Sequence, residues 1–337
     1  MAQAAGIPFS PVTTGQLRGR APWVMARSLI RMARGAEQCA RVLDEFRPDA
    51  VFITGGYVTA PVAWAAWRRR IPLLIYLPDA EPGLAIRATS RLATAVAVSF
   101  DEAARWFPGK AVVTGYPVRP ELLAADKAAS RAALGLSANL PVLLVFGGSR
   151  GAHSINQALV AALPQLMPHS QIVHITGHLD WPMVADGEWQ MANGKLQTAN
   201  HATRNTQYAI RITHHASRYH PYPYLHAEMI HALAAADLVV ARAGASTLGE
   251  FPVVGLPSVL VPYPYAGQHQ EVNAAYLAEL CAAVVLADRD LDSDLASIVL
   301  QLFSAPERLA SMARAARSLA RPDAAAHIAA ELRRLVN

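Results

Sequence analysis

Short apolar runs, several of them ending in glycine, alternate along this chain with longer stretches rich in alanine, leucine and arginine. Such alternation is typical of a parallel sheet covered by helices. The first series predicts strands at 49–56, 72–78, 95–100 and 111–117, with helices at 27–46 and 59–70. A second series predicts strands at 142–148, 171–177, 237–244 and 258–264. The sequence therefore predicts an α/β protein with two parallel sheets.

The two series divide the 337 residues into two predicted domains, and a chain of this length has room for both. We expect an N-terminal domain at 1–120, a second domain at 121–320 and a terminal helix at 321–337 that packs back on the first domain. The chain opens on "AGIPFSPVTTGQLRGR" instead of a strand and a glycine loop, so the first domain is expected to lack its opening segment. Residues 181–222 show no clear period and predict a long insertion.

Charge is unevenly distributed between the two halves. Residues 1–120 carry 15 Lys and Arg against 8 Asp and Glu, whereas residues 121–337 carry 15 against 17. A basic N-terminal half indicates an anionic partner that this half meets alone. Nucleic acid is not the expected partner, because helix-turn-helix, zinc-finger and RNP patterns are missing. The two cysteines fit neither a disulfide framework nor a zinc site, and no apolar run reaches the roughly 20 residues of a membrane span.

The stretch "VLLVFGGSRGAHSIN" at 142–156 leads from a predicted strand through three glycines into a predicted helix. Free N–H groups at such a helix start favour an anion. A P-loop would need Gly-Lys-Ser or Gly-Lys-Thr, and a dinucleotide site would need an acidic residue at the end of the next strand. Neither is present. By itself the loop is also explained as a tight strand-to-helix turn.

A second candidate is "RAGASTLGE" at 242–250. Small residues at Gly244 and Ala245 leave room for a ligand at the backbone, and Glu250 could accept hydrogen bonds from a sugar diol. Thr247 and Glu250 also have the spacing of a capping box, which would explain both residues without a ligand.

A third candidate is the polar run Gln268, His269 and Gln270, followed by Asn273, after the predicted strand at 258–264. Side-chain amides suit the recognition of hydroxyl groups, although loops are polar by default. Arg119, near the predicted domain junction, could pair with a phosphate or be an ordinary surface arginine.

Two further patterns are not expected to bind metal. The alternating Asp288, Asp290, Asp292 and Asp294 lack the glycine and the final glutamate of a calcium loop, so capping of the next helix is expected instead. The twelve histidines show no metal-ligand spacing. The sequence therefore predicts no metal site.

Taken in order, the glycine loop, "RAGASTLGE" and "GLPSVLVPYPYAGQHQEVNA" resemble the donor half of glycosyltransferase family 28, in the branch that transfers N-acetylglucosamine from UDP-GlcNAc to lipid I. "LRGR", "PDAVFITGGYVTAPVAWAAW" and "GYPVR" match the family in order in the first half. The resemblance implies a GT-B fold, with two Rossmann-like domains facing across a cleft. It also implies an inverting transferase that makes lipid II for peptidoglycan, with UDP-GlcNAc as co-substrate and neither a cofactor nor a tightly bound metal.

The resemblance assigns roles by position. On the donor side it assigns the phosphates to Gly148 and Ser149, with Arg119 approaching them across the cleft, and the pyrophosphate to the helix start at Ala245, Ser246 and Thr247. It assigns the uracil to the backbone of Leu225 and the ribose to Glu250. The GlcNAc hydroxyls are assigned to His269, Gln270 and Asn273. On the acceptor side it assigns the diphosphate of the lipid-linked acceptor to Gly55, Gly56 and Tyr57.

The chain departs from the family pattern in three places. The opening glycine loop is missing; in the family it ends in a histidine often proposed as the general base. The family's His-Glu-Gln-Asn is here Tyr76-Leu77-Pro78-Asp79, which makes Asp79 the candidate base, with helix capping as the alternative. The third departure is the insertion at 181–222. Three alternatives stay open: a transferase acting on another lipid such as diacylglycerol, a non-catalytic or truncated UDP-sugar-binding protein, and a UDP-GlcNAc epimerase.

Two segments of the basic half suggest how a lipid-linked acceptor is reached. Arginines alternate with large apolar residues in "RGRAPWVMARSLIRMAR" at 18–34, and "WAAWRRR" at 64–70 joins two tryptophans to three arginines. Such segments can lie on an anionic bilayer; an amphipathic core helix is the alternative for each. They predict a cytoplasmic protein bound peripherally to the anionic inner face of the cell membrane.

Overall fold

The computed structural model describes residues 6–15, 22–56, 58–184, 189–192, 195–198, 218–265 and 269–337. The chain forms two compact units. Unit 1 comprises Met1–Tyr116 and Asp323–Asn337, and unit 2 comprises Pro117–Pro322. The chain therefore passes from unit 1 to unit 2 and returns to unit 1 at its C-terminal end.

Unit 1 is built on a four-stranded parallel sheet with the order β1-β2-β3-β4. The strands are β1 Val51–Ile53, β2 Leu73–Leu77, β3 Ala95–Val98 and β4 Ala111–Val113, and the helices between and before them are α1 Pro22–Phe46, α2 Thr59–Arg68, α3 Leu84–Thr89 and α4 Asp101–Ala104. β2 is buried along its whole length, as is usual for a parallel strand covered on both faces.

Helix α2 packs closely on unit 1 because its inner face is made of alanine. Ala63, Ala65 and Ala66 are fully buried. The end of the helix is tied to α1 by a two-point contact, in which Arg69 Nε and Nη2 donate to the two carboxylate oxygens of Asp44 at 2.6 and 2.5 Å. This contact lowers the pKa of Asp44. The outer face of α2 is therefore left to larger side chains.

Unit 2 contains a six-stranded parallel sheet with the order β12-β11-β10-β5-β6-β9. Its strands are β5 Val142–Phe146, β6 Gln171–Ile175, β9 Tyr219–Tyr222, β10 Leu238–Ala241, β11 Ser258–Leu260 and β12 Ala283–Val285, and a separate antiparallel pair is formed by β7 Trp189–Ala192 and β8 Lys195–Thr198. The helices are α5 Pro120–Leu123, α6 Lys127–Ala133, α7 His153–Leu166, α8 Met229–Ala235, α9 Thr247–Val254, α10 His269–Glu279, α11 Leu291–Phe303 and α12 Pro306–Ser318.

The prediction of two parallel α/β sheets is confirmed, and each predicted strand is present with shorter ends. Two edge strands were not predicted. β12 has only three residues, and β9 carries a proline and is half-exposed, which is tolerated at a sheet edge. β9 lies at the end of the predicted insertion 181–222, so this part of the insertion belongs to the sheet. Residues 199–217 of the insertion lie outside the described residues.

The last helix, α13 Ala324–Arg334, belongs to unit 1. Its Ile328 packs against Leu74, Tyr76, Ala95 and Ala97 on one face of the sheet. This contact covers the strand face that α1 and α2 leave open. In the part of the chain that the structure describes, no helix is both long enough and apolar enough to span a bilayer.

Candidate functional site

Three loops of unit 2 meet at the carboxyl edge of its sheet. They follow β5, β10 and β11, which are neighbours in the sheet, and they carry the donor-side candidates at 148–149, 245–250 and 269–273. Ligands of open α/β sheets bind at this edge. The structure thus gathers candidates that are far apart in sequence.

The glycine loop after β5 combines a tight turn with an open side. A Cβ on Gly147 would lie 2.1 Å from the backbone nitrogen of Ala152, and a Cβ on Gly151 would lie 2.3 Å from the carbonyl oxygen of Thr176. These two glycines are explained by the turn alone. Gly148 has a φ of +88° with no atom within 4 Å of an added Cβ, and Ser149 beside it is exposed. The open side therefore coincides with the predicted phosphate contacts, which stay a prediction.

The capping-box explanation of "RAGASTLGE" is wrong. The hydroxyl of Thr247 donates to the carbonyl of Gly244 at 2.7 Å, and the N-cap residue Ser246 makes no side-chain capping bond. Within the described residues, the peptide N–H groups of Ala245 and Ser246 donate no hydrogen bond. Donors left over at a helix start favour an anion. The start of α9 therefore has N–H donors that suit an anion, and the predicted contact with pyrophosphate stays a prediction.

Glu250 faces Arg119 instead of the helix start. Arg119 Nη2 lies 3.7 Å from Glu250 Oε1, and Arg119 Nη1 donates to the carbonyl of His226 at 3.4 Å. Burial raises the pKa of Glu250, and the nearby guanidinium offsets part of that rise. Arg119 was expected at the end of the first domain but belongs to unit 2. The carboxylate of Glu250, in the first turn of α9, and the half-exposed guanidinium of Arg119 are thus close to each other and only loosely paired.

Leu225 lies in an aromatic segment beside Arg119. The rings of His178 and Tyr224 are stacked with centroids 5.7 Å apart, and those of Tyr224 and His226 are 4.7 Å apart. The side chain of Leu225 is buried, and its peptide groups make no hydrogen bond within the part that the structure describes. The contact of its backbone with uracil stays a prediction. The aromatic neighbours were not predicted, although the run "YHPYPYLH" could have indicated them.

Two of the three predicted sugar contacts also hold the loops together. Gln270 Oε1 accepts the N–H of Tyr263 at 2.9 Å. Asn273 is fully buried, and its amide donates to the carbonyl of Ala243 at 3.1 Å. His269, the first residue of α10, is half-buried, and Gln268 lies outside the described residues. Direct contact of these residues with GlcNAc hydroxyls stays a prediction; the structure adds a positioning role for Gln270 and Asn273.

A buried arginine that the sequence did not single out links all three loops. Arg242 is 9% exposed and forms an ion pair with Asp288. It also donates to Ser154 Oγ at 2.8 Å and to the carbonyls of Val261 and Pro262 at 3.2 Å each. Ser154 in turn donates to Asp288 at 2.8 Å. Asp288 was expected to cap a helix; it instead anchors this arginine, because a buried guanidinium needs a counter-charge.

A second buried network fixes the helix that follows the glycine loop. Asn156 on α7 donates to Asp180 and to the carbonyl of Thr176, at 2.7 and 2.8 Å, so its amide oxygen accepts from His174 Nε2 at 3.0 Å. His174 Nδ1 then accepts from the hydroxyl of Tyr219 at 2.8 Å. Burial lowers the pKa of His174 to about 3. The ring is therefore neutral and has a fixed tautomer.

The acceptor-side glycines follow β1 in unit 1. Gly55 has a φ of +93° and a side-chain contact with Ile86 where its Cβ would lie, whereas Gly56 has a φ of +84° and open space there. The carbonyl of Gly56 accepts from the N–H and hydroxyl of Thr59 at 3.2 and 2.7 Å. Tyr57 lies outside the described residues. Gly56 is thus the open position of this loop, as Gly148 is in unit 2.

The segment Tyr76 to Asp79 divides into two parts. Tyr76 and Leu77 are buried in β2, where the hydroxyl of Tyr76 shares a 2.7 Å hydrogen bond with Ser99 and burial raises its pKa. Asp79 follows the strand and is half-buried. The N-cap of α3 is Gly83, so Asp79 is not the N-cap of that helix, and its role as a base stays a prediction.

Unit 1 also exposes large apolar side chains beside arginines. On the outer face of α2, Trp64 and Trp67 are 44% and 52% exposed, and the guanidinium of Arg68 lies over the ring of Trp64 at 5.4 Å. Arg31 and Arg34 on α1 are exposed as well. Residues 18–21 of the other basic segment lie outside the described residues. We call Trp64, Trp67 and Arg68 the tryptophan face.

Metal ligands do not cluster at these sites. Across the residues that the structure describes, no group of three or more His, Cys, Asp or Glu side chains is placed to hold a metal ion. The expectation that no metal is tightly bound stays a prediction.

Comparison with known proteins agrees with this architecture. Residues 142–328 match the C-terminal domain of glycosyltransferase family 28, and residues 1–98 match its N-terminal domain. The "UDP-N-acetylglucosamine--N-acetylmuramyl-(pentapeptide) pyrophosphoryl-undecaprenol N-acetylglucosamine transferase" of Roseiflexus sp. strain RS-1 is 40% identical, over 100% of this chain and 80% of the relative. The protein of the same name from Desulforudis audaxviator is 40% identical, over 95% of this chain and 82% of the relative.

Solved structures show the same fold. The crystal structure of MurG from Acinetobacter baumannii superposes with a TM-score of 0.71 at 24% identity, covering 99% of this chain and 87% of that one. UDP-GlcNAc 2-epimerase from Neisseria meningitidis, bound to UDP-GlcNAc, gives 0.61 at 15% identity, with the same coverage. At these identities the likeness establishes the GT-B fold of two Rossmann-like domains. The matches to both family domains and to full-length relatives go further: the chain belongs to glycosyltransferase family 28.

Proposed function

We propose that this protein transfers N-acetylglucosamine from UDP-GlcNAc to lipid I, the undecaprenyl-pyrophosphoryl-MurNAc-pentapeptide, and so makes lipid II for peptidoglycan. The names of its relatives support this reaction. The observation in this chain that carries it is the carboxyl edge of unit 2, where the N–H groups of Ala245 and Ser246, which donate no hydrogen bond to a described residue, immediately precede the helix that carries Glu250. A nucleoside diphosphate sugar has the anion and the diol that these groups suit.

The donor is held through each of its parts. The pyrophosphate accepts hydrogen bonds from the start of α9 and from the open side of the loop at Gly148 and Ser149. Glu250 accepts the ribose hydroxyls, and the backbone of Leu225 meets the uracil. His269, Gln270 and Asn273 face the sugar, with Gln270 and Asn273 also holding the loop in place.

The chemistry is an inverting displacement. A base removes the proton from the 4-hydroxyl of the acceptor sugar, the oxygen attacks the anomeric carbon of GlcNAc, and the bond from that carbon to the UDP oxygen breaks. Negative charge then grows on the leaving pyrophosphate. Fixed N–H groups and the guanidinium of Arg119 stabilise that charge, so a tightly bound metal is not needed. Activity that survives EDTA would support this; loss restored by Mg²⁺ would contradict it.

Unit 1 supplies the acceptor side in this proposal. Gly56, at the open position after β1, and its neighbours Gly55 and Tyr57 meet the acceptor diphosphate. Asp79 is the candidate base, supported by its half-buried position directly after β2. An Asp79→Asn variant with unchanged kcat would contradict that assignment, whereas a lower kcat with unchanged UDP affinity would support it.

The function is tested by product analysis with two acceptors. The protein receives radiolabelled UDP-GlcNAc with either lipid I or diacylglycerol, and labelled products are separated by chromatography. We expect label in lipid II alone. Label in a glycolipid from diacylglycerol would favour a different lipid acceptor, and production of UDP-ManNAc without acceptor would favour an epimerase.

We also propose that the tryptophan face binds the anionic inner surface of the membrane, where the lipid-linked acceptor lies. Exposed aromatic rings beside arginines suit the boundary between head groups and acyl chains, and Trp64, Trp67 and Arg68 have this arrangement. In co-sedimentation with vesicles of phosphatidylglycerol and phosphatidylcholine, the Trp64→Ala/Trp67→Ala double variant should bind several-fold more weakly than the parent. Equal binding would contradict the proposal, with exposed Leu280→Ala in unit 2 as a control.

A further inference from the structure

Unit 2 has a cavity away from the donor loops. It has a volume of about 620 Å³ and is lined by Pro141, Asp237 and Pro257, which immediately precede β5, β10 and β11. It is therefore at the amino edge of the sheet, opposite the edge that carries the donor candidates. Its size falls within the range of small-molecule sites.

One wall of the cavity is a single face of α12. Pro306, Leu309, Ala310, Ala313 and Arg317 all line it, and their spacing of three or four residues places them in one stripe. The stripe is about 16 Å long at the rise of an α-helix. Two alanines at its centre leave a groove, with an apolar beginning and a cationic end.

The cavity is positively charged. Its charged lining residues are Lys127, Arg131, Arg317 and Asp237. Lys127 and Arg131 share the carboxylate of Asp237, with distances of 2.6 and 2.5 Å. Arg317 has no ion pair or side-chain hydrogen bond with any residue that the structure describes. Arg317 is exposed at the end of the groove, so its guanidinium is accessible to an anion from solvent.

The position of Arg317 is set by a glycine. Gly255, which ends α9, has a φ of +62°, and a Cβ there would lie 2.5 Å from Arg317 Cγ and 2.4 Å from its Nε. The side chain thus lies against the backbone at the end of α9, where a cation is favoured by the last carbonyls. This packing fixes the stem of the arginine and limits the entropy lost on binding a ligand.

We propose that this cavity binds a small anionic amphiphile, with its hydrocarbon chain along the Leu309–Ala313 face of α12 and its anionic head at Arg317. A wholly apolar ligand would displace water from the exposed guanidinium of Arg317 without replacing its hydrogen bonds, which is costly. A cationic ligand would meet a lining with an excess of positive charge. This inference goes beyond glycosyl transfer, and its test measures binding without the transferase reaction.

The cavity shares two helices with the donor site. α9 begins directly after Ala245 and Ser246 and carries Glu250 in its first turn, and its last residues, Val253 and Val254, line the cavity wall. α5 begins directly after Arg119 and lines the cavity with Leu122 and Leu123. A ligand between α5, α9 and α12 therefore bears on the pair of Arg119 and Glu250, and we expect it to change the affinity for UDP.

The test is calorimetric titration of the full chain with monodecyl phosphate below its micellar concentration. We expect saturable binding at one site. Inorganic phosphate, decanol and decyltrimethylammonium should each bind at least tenfold more weakly, because each lacks the tail, the head or the correct charge. Equal binding of decyltrimethylammonium, or no saturable binding of monodecyl phosphate, would overturn the proposal.

Variants locate the site. Arg317→Gln keeps most of the stem but loses the charge and should weaken binding about tenfold, since hydrogen bonds to charged groups are among the stronger ones. Ala313→Leu fills the groove and should abolish binding. Arg314→Ala and Ser311→Leu change exposed residues of the same helix outside the lining and should bind normally. Binding that survives both Arg317→Gln and Ala313→Leu would place the ligand elsewhere and overturn the proposal.

The link to the donor site has its own readout. UDP affinity is measured with and without saturating monodecyl phosphate, and the reverse titration must give the same factor. A severalfold change in both directions is expected. Equal UDP affinity with and without the probe would overturn the coupling between the two sites.

Discussion

The carboxyl edges of the two sheets are held together by different forces. In unit 2, a buried ion pair of Arg242 and Asp288 and the network around His174 join the loops. In unit 1, the corresponding edge is held by apolar packing and by the neutral contact of Tyr76 with Ser99, and its pairs of Arg69 with Asp44 and Arg87 with Glu81 are partly exposed. Among the described residues, the edge of unit 2 therefore has the more deeply buried guanidinium.

The difference suggests what each edge meets. Fixed donors aimed at a growing negative charge need no reorganisation during the reaction, and unit 2 has polar groups whose directions are set by buried partners. Unit 1 instead places exposed rings and arginines on its outer surface. The comparison therefore predicts that substitutions of buried polar residues lower the free energy of unfolding more in unit 2 than in unit 1. It also predicts that this loss of stability is larger than the loss of UDP affinity caused by substitutions in the donor loops.

The largest effect is expected from Arg242→Met. This change leaves the half-buried carboxylate of Asp288 without its counter-charge, so the free energy of unfolding in urea should fall by about 3 kcal/mol. Arg242→Lys keeps the charge but loses the planar fork and should lose less. As the matched change in unit 1, Arg69→Met removes an exposed ion pair and should cost far less. Equal losses for Arg242→Met and Arg69→Met would break the comparison.

The next largest effect is the pH dependence of the free energy of unfolding that comes from His174 in unit 2. The folded pKa of His174 is about 3, whereas the unfolded ring titrates near pH 6.5. As pH falls below 6.5 the unfolded state takes up a proton that the folded state does not, so stability is lost. Between pH 6.5 and pH 5 this amounts to about 2 kcal/mol.

Urea unfolding of His174→Gln should lack that part of the pH dependence. Exposed His178→Gln should retain it, because the ring of His178 is at the surface. Parallel pH profiles for the parent and His174→Gln would show that the ring is protonated in the folded protein.

Glu250→Ala tests whether the carboxyl edge of the sheet in unit 2 binds a nucleotide. Loss of the carboxylate removes hydrogen bonds to the ribose, so UDP affinity measured by calorimetry should fall about tenfold. Glu250→Gln keeps one acceptor and should fall less. Glu271→Ala, an exposed residue of α10, serves as the control. Unchanged UDP affinity in Glu250→Ala would remove this residue from the site.

The smallest effects on stability are expected from alanine substitutions at Gly148 and Gly56, the open glycines of the two units. Gly148 and Gly56 both have positive φ with open space at the Cβ, so alanine at either should cost about 1 kcal/mol of strain. Gly148→Ala should also weaken UDP binding severalfold, whereas Gly56→Ala should not. Gly151→Ala would additionally meet the carbonyl of Thr176 and should be more destabilising. Weaker UDP binding in Gly56→Ala would contradict the separation of donor and acceptor edges.

Much of the fold could be predicted because strands buried on both faces leave a continuous apolar run, as β2 and β5 do. Edge strands such as β9 leave no such run. The donor loops were also predictable, because glycine and small residues after a strand are visible in sequence. The partners of those residues were not. Thr247 and Glu250 fit a capping box equally well, and only the structure shows the threonine bonded to Gly244 and the glutamate facing Arg119.

The networks behind the loops were hidden for a different reason. Arg242 follows β10 and Asp288 follows β12, 46 residues later, and the two meet only because the strand order is β12-β11-β10. Asp288 sits in an acidic run whose other members resemble ordinary helix-start residues. Pairing between distant charges depends on strand order, which local patterns do not encode.

The return of α13 to unit 1 constrains how the chain is made. Unit 2 is one continuous segment and has all of its residues as soon as Pro322 has been synthesised. Unit 1 is interrupted, and the contact of Ile328 with Leu74 and Ala97 can form only after all of unit 2 has been synthesised. Unit 1 thus begins synthesis first but acquires its last helix after unit 2 is complete. A truncation that removes α13 would expose one face of the sheet in unit 1 and would leave every residue of unit 2 in place.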